Sequence, residues 1–369
     1  MEIIHVVLGK ANPERMNGVN KVVYQLATKQ KLAGKDVSVW GITADLTVNY
    51  PARNFETVLF KAYTNKFKLD ANFISALKAK AGKAIFHLHG GFNPIFYTIS
   101  KQLAKHNIPY VFTPHGAYNT IAMERSKYTK KLYLQLFEKP LLKRAAIIHS
   151  IGVSEVDGLQ TIYTNTKSKL VAYGYENTIE ETATPDAEKF IVGFCGRLDI
   201  YTKGLDLLVK AFAKFCASVP EAKLWIIGDS NERDDFFELV KEEGIADNVV
   251  FYGSVFGQEK TDLLKQVHVF AHPSRNEGLP ASVLEAAALG LPCVVTRATN
   301  TGDVIKKHNA GAVVEQPDAN ELYNALLQVK NVIEAEGISS YSQRCKAMVN
   351  QEFNWNKVVV DFDKMYAAA

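Results

Sequence analysis

The strongest constraint in this sequence is a rhythm. Short apolar runs alternate with amphipathic segments, stop at a polar stretch, and begin again. EIIHVVL at 2–8 reads as a buried strand. Val19, Val22, Val23, Leu26 and Ala27 then fall at helical spacing within 19–33, Gly34 ends that helix, and VSVWGI at 37–42 is a second apolar strand. Strand, helix, strand is a βαβ unit, and further runs at 84–88, 109–113 and 145–149, with a helical pattern at 94–106 between them, extend it into a parallel sheet. From Tyr175 to Phe190 the chain has few apolar residues, several acids and a proline, a linker composition. The alternation restarts with strands at 190–196, 223–229, 248–253, 269–273 and 292–296, and helices at 204–217, 233–243, 258–266 and 281–289. QEFNWNKVVVDFDKMY at 351–366 reads as a last helix beyond that pattern.

The expected architecture is therefore α/β, with two doubly wound Rossmann-like domains, at 1–180 and 186–350, and a C-terminal helix at 351–369 that returns to the first. At 369 residues the chain exceeds what a single core covers. Two such domains facing a deep cleft would set both rows of strand ends toward one ligand. With 47% apolar and 22% charged residues, disordered, collagen-like and coiled-coil classes are excluded. No run reaches the ~18 apolar residues of a membrane span, and MEIIHVVLGK is too brief for a secretory signal, so a cytoplasmic protein is expected. Cys195, Cys216, Cys293 and Cys345 form no C-x-x-C pair and are read as reduced, buried thiols. The net charge of +4 hides a division: cations lead acids 24 to 13 through residue 185, and acids lead 26 to 19 thereafter. One half is suited to an anionic ligand or surface. No zinc-finger, RRM or basic-zipper spacing points to nucleic acid.

Two stretches carry chemistry. In PSRNEGLPASVLEAAALGL, at 273–291, Pro280 suits a helix start and Gly290 its end, which places Glu277 just before the helix and Glu285 in its second turn. Free amides and the helix dipole there favour phosphate, and carboxylates beside them can accept hydrogen bonds from sugar hydroxyls. In GFCGRLDIYTKG, at 193–204, a buried strand breaks at Gly196 and presents Arg197 and Lys203. Cations at a strand end suit a diphosphate leaving group whose charge grows as its bond to a sugar carbon breaks.

GRLDIYTKGLDLLVKAF and the Glu277-to-Glu285 spacing resemble signatures of GT-B retaining glycosyltransferases of family 4 (group 1), in particular those that build bacterial capsule, exopolysaccharide or O-antigen. NGV at 17–19 resembles that family's glycine-rich loop, with Asn17 where a glycine is commoner. TPHG at 113–116 and the closing segment around Trp355 also have counterparts. The resemblance implies that Arg197 and Lys203 hold the donor diphosphate, with Gly196 at the strand break and Gly18 approaching by its backbone. It implies that Glu277 meets the transferred sugar with main-chain groups of Gly278 and Leu279, that Glu285 binds the ribose, and that His115 stands near the moving sugar. It further implies a metal-independent hexosyl transfer with retained configuration, no cofactor, a UDP- or GDP-sugar donor, and a glycan or polyprenyl-diphosphate-linked acceptor. A catalytically silent nucleotide-sugar scaffold and a same-fold sugar-nucleotide epimerase are the alternatives.

Other features have plainer readings. His87, His89 and His115 suggest zinc, but no acid or cysteine completes a set, and no metal site is expected. Asp361 and Asp363 fit the polar face of a helix. Residues 125–144 carry seven cations and one acid, with Tyr128, Leu132, Leu136 and Phe137 at helical spacing. That pattern fits a core helix with a solvated basic side, or peripheral contact with anionic lipid at the inner membrane face. The basic first half favours the second.

Overall fold

The computed structural model describes residues 1–13, 18–50, 52–118, 127–176, 182–185 and 189–369, the side chains of 127–129 excepted. Asn17, Arg125 and most of the polar stretch that separates the two halves lie outside these. The chain divides into two compact units, Met1–Gly174 with Trp355–Ala369, and Tyr175–Asn354.

The first unit is built on a seven-stranded sheet in which every pair is parallel. Its strands are β1 (Glu2–Leu8), β2 (Val37–Thr43), β3 (Glu56–Lys61), β4 (Ala84–His89), β5 (Tyr110–Thr113), β6 (Ile147–Ser150) and β7 (Ser168–Leu170), in the order β3-β2-β1-β4-β5-β6-β7. β1, β2 and β4 are buried along nearly all their length, which explains why they read as continuous apolar runs. The edge strands β3 and β7 are half-exposed, so ETVLFK and SKL carry no such signal. Trp40 centres the core, with the rings of Phe60, Phe73 and Phe86 between 5.0 and 5.2 Å away.

The second unit repeats the plan with six parallel strands: β8 (Ile191–Cys195), β9 (Lys223–Ile227), β10 (Val249–Gly253), β11 (Val269–His272), β12 (Cys293–Thr296) and β13 (Gly311–Val314), in the order β10-β9-β8-β11-β12-β13. In both sheets the order reverses once, between β1 and β4 and between β8 and β11. Loops leave in opposite directions there, and open α/β sheets place ligands at that point. Glycines let the loops approach closely. A Cβ on Gly228, at φ +139°, would stand 1.9 Å from the carbonyl oxygen of Gly196, and one on Gly204, at φ +68°, 2.1 Å from that of Pro273.

The final segment differs from its sequence reading. Residues 351–352 complete the helix Ile338–Glu352, and a new helix, Trp355–Ala367, begins after a break. Its Trp355 packs against Gly174, where a Cβ would fall 2.4 Å from the indole. The stretch between the halves is also less of a free linker than its composition implies: the Ala183 and Thr184 amides donate to Leu289 and Lys265 at 2.8 and 2.9 Å, and Ala183 is buried. Among the four thiols Cys195, Cys293 and Cys345 are buried, Cys216 is half-buried, and none is in a disulfide.

The close approach at Gly228 has a measurable cost. Gly228→Ala is expected to destabilise the protein by about 3 kcal/mol or more, since both the clash and the left-handed backbone oppose it. Gly244→Ala, at φ +67° with nothing within 4 Å of the new methyl, is expected to cost about 1 kcal/mol. Urea unfolding of the two variants checks the difference, and equal costs would contradict the packing described.

Candidate functional site

The strand ends beside the reversal of the second sheet build the site. β8 stops at Cys195, and Asp199 caps the short helix Ile200–Lys203 by accepting from the Thr202 amide at 3.0 Å. Gly204 closes that helix in a left-handed turn, and the turn delivers the Lys203 ammonium to Oε1 of Glu277. β11 ends in His272, whose buried ring stacks on Phe194 and donates from Nε2 to the same Oε1 at 2.9 Å. One carboxylate oxygen thus receives an ammonium from the β8 loop and an imidazole from β11.

The loop carrying Glu277 is held from both sides. Arg275 forms a two-point ion pair with Asp206 at 2.7 Å, and its amide donates to Thr202 at 2.8 Å. Asn300, in a left-handed conformation, donates to the carbonyls of Glu277 and Gly278 at 2.8 and 2.7 Å. Burial by itself raises the Glu277 carboxyl, but the hydrogen bond and field of His272, with the charge of Lys203, outweigh it and hold the group at about 2. Glu277 is therefore an anion at neutral pH in a half-dry setting, which suits accepting hydrogen bonds from hydroxyl groups.

The remaining residues singled out in this half stand nearby in the chain but have separate partners. Arg197 is largely exposed and pairs with Asp199 at 3.2 Å. Gly196 donates its amide to Ile227 at 2.9 Å. Gly278 and Leu279 precede the helix Ala281–Ala288, and among the described residues no acceptor meets their amides. Glu285 pairs with Lys260 of the helix Gly257–Leu264 at 2.6 Å. His272, Lys260 and Asn300 were absent from the sequence reading. Only His272 left a signal there, as a polar residue closing an otherwise apolar strand.

In the first unit Gly18 opens the helix Gly18–Leu32, and a Cβ there would meet nothing within 4 Å. His115 sits on a left-handed turn after β5, at φ 54°, stacked on Tyr173 and hydrogen-bonded through Nε2 to His89. TPHGAYN carries no carboxylate, but the fold supplies Glu155 beneath that turn, accepting from the Gly116 amide and, at 2.9 Å, from that of Ile151. A cavity of about 310 Å3 opens beyond β1 and β2, lined among others by Gly9, Thr43, Tyr63, Lys66, Lys68 and Asn93. Among the described residues, one trio of potential metal ligands lies together, His5, His87 and His89 rather than His87, His89 and His115. Each of its rings is hydrogen-bonded to protein groups. No helix among the described residues is long and apolar enough to cross a membrane.

Two parallel-sheet, Rossmann-like units, with a basic side chain and a carboxylate joined at one sheet's reversal point, define a GT-B architecture. Two family models match in tandem: Glycosyltransferase Family 4 over residues 16–177 and Glycosyl transferases group 1 over 176–342. The chain belongs to the group 1 glycosyltransferases. Among curated relatives, the phosphatidylinositol N-acetylglucosaminyltransferase gpi3 subunit of Schizosaccharomyces pombe is 23% identical over 337 residues, 89% of this chain and 70% of that protein. An uncharacterized 41.2 kDa protein in the cps region of Klebsiella pneumoniae is 25% identical over 305 residues, 76% and 78% of the two chains. Among solved structures, the lipopolysaccharide outer core galactosyltransferase WaaB superposes with a TM-score of 0.76 at 16% identity, over 100% of this chain and 99% of that one. Anabaena Alr3699/HepE in complex with UDP gives 0.73 at 15%, over all of both.

The buried titratable groups of the first unit set a pH dependence. Burial holds the His5 and His149 rings at about 4 and His115 at about 3, and lowers His87 and His89 as well. Against an ordinary value of 6.5, their contribution to stability is complete above that pH and is lost as pH falls toward 4. Burial raises Glu138 and Glu155 to about 7, which acts in the opposite sense, but two carboxyls oppose five rings. The urea midpoint is expected to fall between pH 6.5 and 4, and Glu155→Gln to steepen the fall. A flat profile would contradict neutral buried rings.

Proposed function

We propose that this chain is a retaining hexosyltransferase that moves a sugar from a nucleotide-sugar donor to a hydroxyl of a glycan acceptor, without a divalent metal or other cofactor. The observation that carries this reading is the meeting of Lys203, Glu277 and His272 at the reversal point of the second sheet. In it a diphosphate draws Lys203 away from the carboxylate and toward the exposed Arg197. Glu277, still held by His272, accepts from hydroxyls of the sugar, and the open amides of Gly278 and Leu279 add donors beside it. Glu285 with Lys260 receives the ribose, the Gly18 backbone approaches the diphosphate, and His115 meets the sugar from the first unit.

As the bond from the anomeric carbon to the diphosphate oxygen breaks, charge grows on the leaving group. Each preorganised cation there contributes about 3 kcal/mol to lowering the barrier. The acceptor hydroxyl bonds to the same face of that carbon, and its proton passes to the departing phosphate oxygen. A double displacement needs a carboxylate on the opposite face. Glu155, the carboxylate beneath the His115 turn, is buried with its oxygens on backbone amides, which supports the single-face route.

The UDP held by Anabaena HepE supports a UDP-sugar donor, with GDP-sugars as the other candidates. The cps-region relative and the lipopolysaccharide enzyme support capsule, exopolysaccharide or O-antigen synthesis, with a lipid-linked glycan as acceptor. In this reading residues 1–180 carry the acceptor, in the cavity beyond β1 and β2, residues 186–350 carry the donor, and 351–369 complete the first domain. The protein works in the cytoplasm against the inner face of the membrane. Leu132 and Leu136, exposed by 63% and 53% beside Lys131, Lys139 and Lys143, supply the apolar and cationic contacts for that surface.

Two measurements test this. The purified protein is expected to release nucleotide from a UDP- or GDP-sugar faster when acceptor is added. Lys203→Ala and Glu277→Ala are expected to lower that turnover roughly 100-fold or more while the far-UV spectrum is kept. Undiminished turnover in either variant would refute its role. Release without acceptor together with an altered sugar would point to the epimerase, and tight binding without turnover to the scaffold. Separately, Leu132→Asp with Leu136→Asp is expected to abolish co-sedimentation with anionic vesicles, and retained binding would count against membrane contact through this helix.

A further inference from the structure

The first sheet carries a polar seam across its middle. His5 on β1, His87 and His89 on β4, Thr113 at the end of β5 and His149 on β6 lie on four neighbouring strands, with His5 paired in register to His87 and His89 to Thr113. All five are buried, as are Gln30 from the helix Gly18–Leu32 and Tyr366 from the helix Trp355–Ala367, which complete the seam. An apolar sheet face would pack more simply, and buried polar groups of this kind persist only when each has its partner.

The partners form one chain, with the Tyr173 hydroxyl also beside Thr113, and its proton positions can be derived. The carbonyl of Val171 can only accept, so the contact at 2.7 Å requires a proton on Nε2 of His149. A neutral ring then has a lone pair on Nδ1, which accepts from the Thr113 hydroxyl at 2.7 Å. That hydroxyl, its proton used, accepts from Nε2 of His87 at 2.6 Å, and His87 Nδ1 accepts from the Tyr366 hydroxyl at 2.8 Å. Tyr366 must then accept, from the Gln30 amide at 3.4 Å, the longest link. The Gln30 carbonyl oxygen faces Nε2 of His5 at 2.7 Å and fixes that proton too. His5 Nδ1 accepts from His89 Nε2 at 2.9 Å, and His89 Nδ1 from His115 Nε2 at 3.0 Å.

Every donor therefore points the same way, from His115 toward Val171. Reversing the chain would set a ring lone pair of His149 against the Val171 carbonyl, and turning the Gln30 amide alone would set two donors or two acceptors face to face. Burial keeps the rings neutral at pH 7, so each has one proton to place. The chain ends at His115, half-buried against Tyr173, whose Nδ1 has no partner among the described residues.

We propose that this seam is a one-way hydrogen-bond relay that locks His115 in the Nε2–H form and so presents its Nδ1 as an acceptor for a substrate hydroxyl. This rests on the reading that His115 meets a sugar substrate. His89, His5, Gln30 and Tyr366 are then positioning residues for the reaction, acting through the tautomer of a ring that most of them do not touch. A His115 in the other tautomer would face the same hydroxyl with an N–H and demand the opposite hydrogen bond.

The test uses the full-length protein with 15N-labelled histidine and long-range 1H–15N correlation spectra, His115 being assigned by its loss in His115→Gln. The wild type is expected to show His115 protonated on Nε2 alone. His89→Phe and Tyr366→Phe both interrupt the chain, and each is expected to release His115 into a mixture of tautomers. With an active donor, each is expected to lower kcat roughly 10- to 100-fold while KM for the donor stays within about twofold. His89→Asn, whose carbonyl stands in for the accepting Nδ1, is expected to restore both the Nε2–H form and kcat. A wild-type His115 protonated on Nδ1, or interrupted variants that lose kcat with the tautomer unchanged, would overturn the relay. If the His89 variant fails to fold, Tyr366→Phe, which keeps the ring, gives the same two readouts. The spectra need no donor, so a correct tautomer without turnover would count against sugar transfer and leave the relay standing, whereas turnover with the wrong tautomer would do the reverse.

Discussion

A carboxylate taken out of water stays ionised only where positive or donating partners replace the lost solvent, and much of the second unit is arranged to satisfy Glu277. Lys203 reaches it because Gly204 turns the chain against Pro273, an approach that a side chain would forbid. His272 reaches it because β11 ends at that level and Phe194 and Phe270 fix the plane of its ring. Asn300 and the Arg275–Asp206 pair hold the intervening loop so that neither contact has to be formed anew. The result is a charge held in place before any ligand arrives, the property that makes fixed dipoles and ions effective when charge develops during a reaction.

The first unit solves a different problem. Its core is aromatic around Trp40, yet the same sheet carries a buried file of imidazoles, an arrangement that costs stability in acid and needs two helices from opposite ends of the chain to close it. Gln30 and Tyr366 are 336 residues apart in sequence and meet beside His5 and His87. A polar seam at that cost is easier to understand if its outer end does something. That end is His115, strained into a left-handed turn and pinned from below by Glu155.

How much of this could be read from the sequence follows from range. Buried parallel strands announce themselves as unbroken apolar runs, so the two domains and most of their strands were legible. Edge strands such as ETVLFK, with only Phe60 buried, were not. Lys203 and Glu277 stood out because glycines and a proline beside them mark strand ends and a helix start. Their direct contact did not, since it joins residues 74 positions apart and depends on β8 and β11 pairing side by side. Glu285 also looked like a free ligand, and its partner Lys260 belongs to a helix whose own pattern gives no hint of the pairing. The histidine chain was least legible. Alternation placed His87 and His89 on one face, but the partners that decide between a metal set and a hydrogen-bond file come from five other elements.

The central claim is that the reversal point of the second sheet is built for a sugar joined to a diphosphate. Titration calorimetry of the intact protein with UDP-glucose, GDP-mannose and the free nucleotides, repeated on Lys203→Ala, addresses it most directly. The account predicts saturable binding of at least one nucleotide-sugar, with affinity cut at least tenfold by the substitution. Binding that the substitution leaves unchanged would contradict it.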